Sequence, residues 1–371
     1  MDIFLQILYT VLVLGALIFV HELGHFIAAK IFKVQVNEFS LGMGPKLISV
    51  KNKKVTHLFS KEKPELNPDG HTAYSIRLLP IGGYVSMEGE TEESDNPNSF
   101  VQKPAWKRLI ITVAGVFMNM VTAVLITFIL VCATPIASTT IAEFDHDALS
   151  PAGGLQVNDK IVQIDNTKIN SIADISLAFQ GAIGQETVSV TVERNGQTVI
   201  LENVQFPEAY ANGADVEEGD NTDGQLTVKT IDFYVYREQK TVGTVLSQTF
   251  NRTVSYVKTM YDTLAQLVTG KISVQYLSGP VGTSAVIKQA ADSGFASLFT
   301  LVGLISINLA VMNMLPFPAL DGGRALLYLI ELITKKRVPP KIENVMNAIG
   351  MIILFAFMII ITFKDIIFPV L

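Results

Sequence analysis

Hydrophobic positions in this chain gather into four long runs, with shorter alternating patches between them. A run of about 18 or more apolar residues without charge reads as a helix that crosses a bilayer. The first extends from Ile3 to Val20 and ends against His21-Glu22, and the second from Leu109 to Val131. The third starts near Phe295 and stays uncharged to Leu320, interrupted by Pro316 and Pro318. The fourth covers roughly Asn344 to Phe363. The N-terminal run has Asp2 in place of a basic leader and no small-residue cleavage site behind it, so it reads as a retained span.

Between the runs the pattern shifts towards period two. Residues 34–106 contain β-like pieces such as Thr72 to Leu79, followed by the turn Pro80-Ile81-Gly82-Gly83 and then Tyr84-Val85, a hairpin-type signal. A second glycine-rich turn is Leu41-Gly42-Met43-Gly44-Pro45, and Glu88 to Asp95 reads as a solvated acidic loop. Residues 138–206 read as a compact α/β module with strands at Lys160–Ile164, Val188–Val192 and Thr198–Leu201. Ala209 to Gly224 reads as an acidic loop, and 243–270 as an amphipathic helix along the membrane surface. The predicted fold is an α-helical polytopic membrane protein with four transmembrane helices, a cytoplasmic membrane-associated β-hairpin region and an extracytoplasmic α/β domain. Its expected divisions are 1–33, 34–106, 107–133, 134–208, 209–292, 293–334, 335–343 and 344–371.

Composition agrees with this pattern. Of 371 residues, 49% are hydrophobic and only 17% charged, and the mean hydropathy is +0.39. These values exclude a disordered or collagen-like chain. The single cysteine, Cys132, excludes an internal disulfide and is expected as a small buried hydrophobe. A net charge of −6 offers no basic footprint for nucleic acid. Lys30, Lys33, Lys103, Lys107 and Arg108 flank the first two spans, and Lys335, Lys336, Arg337 and Lys341 lie between the last two. Residues 134–250 instead hold 17 Asp/Glu against 6 Lys/Arg. The positive-inside rule therefore predicts cytoplasmic basic loops, with both termini and the inserted domain outside.

The first span ends in His21-Glu22-Leu23-Gly24-His25. Positions i and i+4 share a helix face, so both imidazoles can address one ion, with Glu22 offset to act on water as a general base. Polar groups at this depth are expensive, roughly 2.5–3.5 kcal/mol per charge, unless partnered. The bland alternative is a helix end wetted by interfacial water. A catalytic Zn2+ takes three protein ligands. His57, His71 and His146 are isolated and read as surface residues, so a carboxylate is needed, and Asp321 stands in an otherwise uncharged stretch. The bland alternative for Asp321 is a helix N-cap after the proline break, a role compatible with ligation. Pro316 and Pro318 free backbone carbonyls and suit either a cradle for extended substrate or a plain kink. Asn313 is expected to hydrogen-bond across the bundle or to substrate backbone. Asn119 divides evenly between helix packing and a site role.

Ser150-Pro151-Ala152-Gly153-Gly154-Leu155-Gln156-Val157-Asn158-Asp159 with Asp165-Asn166 resembles the core signature of a bacterial PDZ domain, a module that binds peptide termini by strand addition. A plain β-rich spacer is the alternative. Taken with Phe39–Pro45, Pro80–Val85, Leu277–Gly282 and Asn313–Gly323, the whole chain resembles the site-2 protease family of intramembrane zinc metalloproteases. The likeness is to its bacterial regulator-of-sigma-E protease-like branch, here with a single PDZ domain. The resemblance implies zinc on His21, His25 and Asp321, Glu22 as general base, and substrate held by Asn313, Pro316 and Pro318. It implies a multi-pass protein of the bacterial cytoplasmic membrane, cutting single-span substrates such as anti-sigma factors, or signal-peptide remnants, towards the cytoplasmic side. Gly115-Val116 departs from the Gly-Pro of many relatives. The competing classes are a non-catalytic PDZ-bearing scaffold and a metal transporter, though the spans lack the continuous polar path that transport requires.

Overall fold

The computed structural model describes residues 2–57, 70–90, 92, 94–181, 185–207, 218–220, 226–229, 232–270 and 277–367. In chain order the elements are α1 (Asp2–Ile31), β1 (Val36–Lys51), β2 (Lys54–His57), β3 (Ala73–Met87), α2 (Ala105–Ala133), β4 (Ile136–Phe144), β5 (Lys160–Ile164) and β6 (Thr167–Lys168). There follow α3 (Ile172–Gly181), β7 (Val188–Arg194), β8 (Gln197–Val204), β9 (Glu218–Asp220), β10 (Leu226–Lys229), β11 (Phe233–Glu238) and α4 (Val242–Val268). The chain closes with α5 (Pro280–Asp292), α6 (Phe295–Met314), α7 (Asp321–Thr334) and α8 (Pro340–Ile367). They form two units, Met1–Ala123 with Met260–Leu371, and Val124–Thr259.

In the first unit, α1, α2, α6 and α8 are long and apolar enough to cross a membrane. They leave large apolar side chains such as Phe117, Ile352 and Ile360 exposed, as lipid-facing helices do. Cys132 is also exposed, contrary to its expected burial, because it lies on an outward face of α2. Gly24 lets α1 and α2 cross closely: a Cβ there would stand 2.3 Å from the Ala114 carbonyl oxygen.

The third apolar run is two helices with a break. Helix α6 stops at Met314 and α7 starts at Asp321. Pro316 and Pro318 lack the donors to continue a helix, and Ala319 takes a left-handed φ of 74°. A Cβ on Gly322 or Gly323 would lie 2.2 Å from the Met314 oxygen or 2.3 Å from that of Phe317. Helix α8 supports the break, since Asn347 Oδ1 accepts the Ala319 N–H at 3.2 Å and Gly350 lies against the Pro318 carbonyl. The Leu277–Gly282 motif is also held by α8: Asp365 Oδ2 accepts the N–H groups of Gly279 and Gly282, both at 2.8 Å.

Three strands form a sheet ordered β2-β1-β3. The turn expected at Pro80–Gly83 lies inside β3. The register with β1 rises along Ala73–Ile76 and falls along Gly83–Met87, so the chain reverses between them, at Gly82 with φ 83°. Its two halves flank β1 and do not pair with each other. Leu41 registers with both Ile76 and Gly83, so the first half of β1 lies between two parts of β3. Arg77 ties this arrangement together, donating to Glu38 Oε1 at 2.9 Å, Ser40 Oγ at 3.0 Å and the Tyr84 hydroxyl. Burial opposes ionisation of Glu38, but hydrogen bonds from Ser75 and Lys46, with the Lys46 and Arg77 charges, hold its carboxyl below the usual range. The acidic loop from Glu88 is more than solvated surface. Glu88 accepts from Asn37 and Ser94, and Glu90 pairs with Arg324 at 2.6 Å.

The second unit is an eight-stranded sheet ordered β8-β7-β5-β4-β11-β10-β9, with β6 paired to β5. Its core includes Ile141, Ile161, Val190, Val192, Phe233 and Val235. The sheet runs past residue 208, since β11 pairs along β4 and contributes core residues. Most of the acidic loop expected at Ala209–Gly224 lies outside the described residues, but Glu218–Asp220 forms β9. Helix α4 joins the unit through Ser255, whose hydroxyl donates to Asp174 on α3.

Candidate metal centre

The helical spacing of α1 turns His21 and His25 to one side, and the proline break delivers Asp321 to meet them. Asp321 is the first residue of α7, not its N-cap, which is Leu320. Its carboxylate therefore lies at the positive end of the α7 dipole, which favours the anion. Asp321 Oδ2 stands 3.1 Å from His21 Nε2 and 3.4 Å from His25 Nε2, and the two Nε2 atoms are 3.2 Å apart. Both histidines are buried. Among the described residues this is the only trio of His, Cys, Asp or Glu close enough to share an ion. His57, His71 and His146 take no part in it.

The tautomer of His25 follows from its partner. Its Nδ1 lies 2.8 Å from the Ile111 carbonyl oxygen, which can only accept, so Nδ1 carries the proton and Nε2 offers a lone pair. That lone pair faces a carboxylate oxygen and a second imidazole nitrogen, and Asp321 Oδ2 has no hydrogen-bond donor among the described residues. The His25 lone pair and the carboxylate oxygen aimed at one point repel each other unless a cation sits between them. Tetrahedral zinc, with bonds of about 2.0–2.1 Å, spaces its ligand atoms about 3.3 Å apart. The trio matches that spacing, so the residues present fit the ion.

Two residues of α2 complete the surroundings. Asn119 is fully buried, and its carboxamide meets His21 Nδ1 at 3.1 Å, while Ser306 Oγ donates to the Asn119 carbonyl at 2.8 Å. Ligation through His21 Nε2 needs the proton on Nδ1, which selects the amide orientation with oxygen towards the ring. Gly115 lies behind both imidazoles, where a Cβ would stand 2.4 Å from His25 Nε2 and 2.8 Å from His21 Nε2. The sequence marks Gly115 only as part of Gly115-Val116, where the chain departs from many relatives; its place against the two imidazoles appears only when α1 and α2 cross.

Glu22 is half-buried beside the trio, close enough to feel the charges of His21, His25 and Asp321. No described residue donates a hydrogen bond to its carboxylate. Gly83 of β3 lies against it, with a built Cβ 3.1 Å from Glu22 Cγ. Asn313 is half-buried at the end of α6, and its side chain makes no hydrogen bond among the described residues. Pro316 is exposed in the break, and Pro318 is half-buried against α8.

Comparison with known proteins agrees with this chemistry. Residues 9–357 match the model of peptidase family M50, the site-2 proteases. A Clostridium acetobutylicum protein, provisionally named a zinc metalloprotease, is 35% identical over 99% of both chains. One of the same provisional name from Fusobacterium nucleatum is 36% identical over 97% of this chain and 98% of its own. The zinc metalloprotease RasP of Oceanobacillus iheyensis is 26% identical over 96% of this chain and 97% of its own. The chain therefore belongs to peptidase family M50 and is a zinc metalloprotease.

Proposed function

We propose that this enzyme hydrolyses peptide bonds inside transmembrane segments of single-span membrane proteins in the bacterial cytoplasmic membrane. Anti-sigma factors and signal-peptide remnants are the substrate classes in view. The carrying observation is the convergence of three ligand-type atoms beside Glu22 at the end of an apolar helix. In this reading His21, His25 and Asp321 hold zinc through Nε2, Nε2 and Oδ2. Zinc bound there supplies Lewis acidity towards the scissile carbonyl and the attacking water. Glu22 takes a proton from that water and returns it to the departing amine. Asn119 holds the His21 ring in its ligating tautomer.

A transmembrane helix hides its carbonyls in internal hydrogen bonds, so a substrate has to unwind first. The half of β3 that carries Gly83 is an edge of its sheet and lies next to Glu22, so an extended substrate pairing there regains backbone hydrogen bonds at the site. Asn313, Pro316 and Pro318 hold the substrate from the other side, where the irregular backbone offers free carbonyls. The basic flanks Lys30 and Lys33 support cleavage towards the cytoplasm, with the second unit outside as a PDZ module that selects substrates already shortened there. The exposed apolar side chains Leu246, Phe250 and Val254 of α4 suit contact with the lipid surface.

The test is cleavage of a model single-span substrate by the purified enzyme and its Glu22→Gln variant, with zinc quantified in both. Full zinc in both proteins and hydrolysis only by the unaltered enzyme is the expected result. Equal cleavage by the two would remove Glu22 from the mechanism, and a zinc-free, inert wild type would favour a scaffold.

A further inference from the structure

Three ammonium groups crowd together where α1 ends and α2 begins. Lys33 follows the end of α1, Lys103 comes just before α2, and Lys107 lies in the first turn of α2. Among the described residues none of the three pairs with a carboxylate. Lys103 donates to the Pro97 carbonyl at 3.2 Å, and Lys107 rests over the rings of Phe32 and Trp106, 5.7 and 5.3 Å from their centroids. Burial, and then the charges of Lys107 and Lys33, pull the Lys103 ammonium below the usual lysine range. Orienting a membrane protein needs positive charge near the span ends, but not cations close enough to oppose one another. An anion among them relieves that opposition.

The backbone and the neighbouring surface narrow the ligand. The N–H groups of Lys107 and Arg108 both end on the Pro104 carbonyl, at 2.9 and 3.2 Å, while those of Ala105 and Trp106 meet no acceptor among the described residues. Free N–H groups at the positive end of a long helix, beside three lysines, suit a phosphate. From there an apolar strip leads away along α2. Trp106, Ile110 and Phe117 share a helix face by their spacing and are 46%, 43% and 65% exposed. A soluble phosphate gains nothing from such a strip, whereas acyl chains lie along it, with the indole at the level of the head groups.

We propose that this corner of α1 and α2 binds an anionic phospholipid, with Lys33, Lys103 and Lys107 around its phosphate and its acyl chains along Trp106, Ile110 and Phe117. A zwitterionic lipid carries its own cation and is the weaker ligand. Trp106 is the only tryptophan of the chain, so its fluorescence reports on this corner alone. The full-length enzyme is reconstituted into phosphatidylcholine vesicles with graded amounts of acyl-brominated phosphatidylglycerol or acyl-brominated phosphatidylcholine, whose bromines quench an indole on contact. The anionic lipid should reach half-quenching at a mole fraction about tenfold lower, and Lys103→Gln and Lys107→Gln should each cut that ratio about fivefold. Lys53→Gln with Lys54→Gln removes two exposed cations from the turn between β1 and β2 and should leave the ratio unchanged. Equal quenching by the two lipids would overturn the proposal. An equal loss in the Lys53/Lys54 variant would overturn it too, by reducing the effect to general surface charge. Loss of the preference on adding inorganic phosphate at constant ionic strength would assign the corner to a soluble phosphate instead of a lipid. Quenching needs no hydrolysis, so these outcomes are independent of the proteolytic reading.

Discussion

At the scale of single residues, the proposed metal centre is shaped by groups that would never touch the ion. His25 is oriented by a backbone carbonyl and therefore by the helix crossing itself. His21 is oriented by Asn119, a side chain that substitution can remove. Asn119→Ala should weaken zinc binding about 10–100-fold while the helices remain inserted, a loss that chelator competition would register. An unchanged zinc affinity would mean that His21 needs no orienting partner. Gly115 acts by having no side chain, since any Cβ would occupy the space of the two imidazoles.

At the scale of elements, the break between α6 and α7 is set by packing as well as by its prolines. Gly350 of α8 meets the Pro318 carbonyl, where a Cβ would lie 2.3 Å from the oxygen. Gly350→Ala should push the break aside and lower the hydrolysis rate about a hundredfold, since a shift near 1 Å is enough at a catalytic site. Gly15→Ala, on an open face of α1 with nothing within 4 Å of the added carbon, is the matched control and should be near neutral. Similar rates for the two variants would separate α8 from catalysis. Elements governed by local pattern could be read from the chain alone: the apolar runs, the His-Glu-His spacing, the proline break and strands β5, β7 and β8. Elements governed by distant partners could not. The placing of β1 between two parts of β3 rests on Arg77 meeting Glu38, Ser40 and Tyr84, contacts that no window of sequence contains. The membership of β11 in the second unit was hidden for a similar reason, since it pairs with β4 across nearly a hundred residues, beyond an acidic stretch that resembles a linker.

At the scale of the molecule, charge is divided between basic flanks and an acidic insertion, and this division predicts orientation. The lone cysteine makes a clean measurement possible. In a Cys132→Ser background, His146→Cys should react with a membrane-impermeant maleimide added to intact cells, and Lys336→Cys should react only after the membrane is opened. His146 is exposed on the second unit, so access to it does not depend on unfolding. The reverse labelling pattern would invert the proposed topology. Buried ion pairs join the parts of the first unit on another level: Arg324 reaches Glu90 at 2.6 Å and Glu343 at 3.1 Å, linking the loop after β3 to α7 and α8. Removing Arg324 would leave two carboxylates without their cation in a largely buried setting, a loss of about 3–5 kcal/mol.

The trio of His21, His25 and Asp321 also has a temporal side. The two histidines lie on α1, while the aspartate is synthesised only after the second unit and α6. Two imidazoles alone do not make a catalytic zinc site. With the proposed ligands, a half-made chain inserting into a membrane full of other newly made helices would therefore be chemically inert. Hydrolytic capacity would then arise in one step, when α7 meets α1.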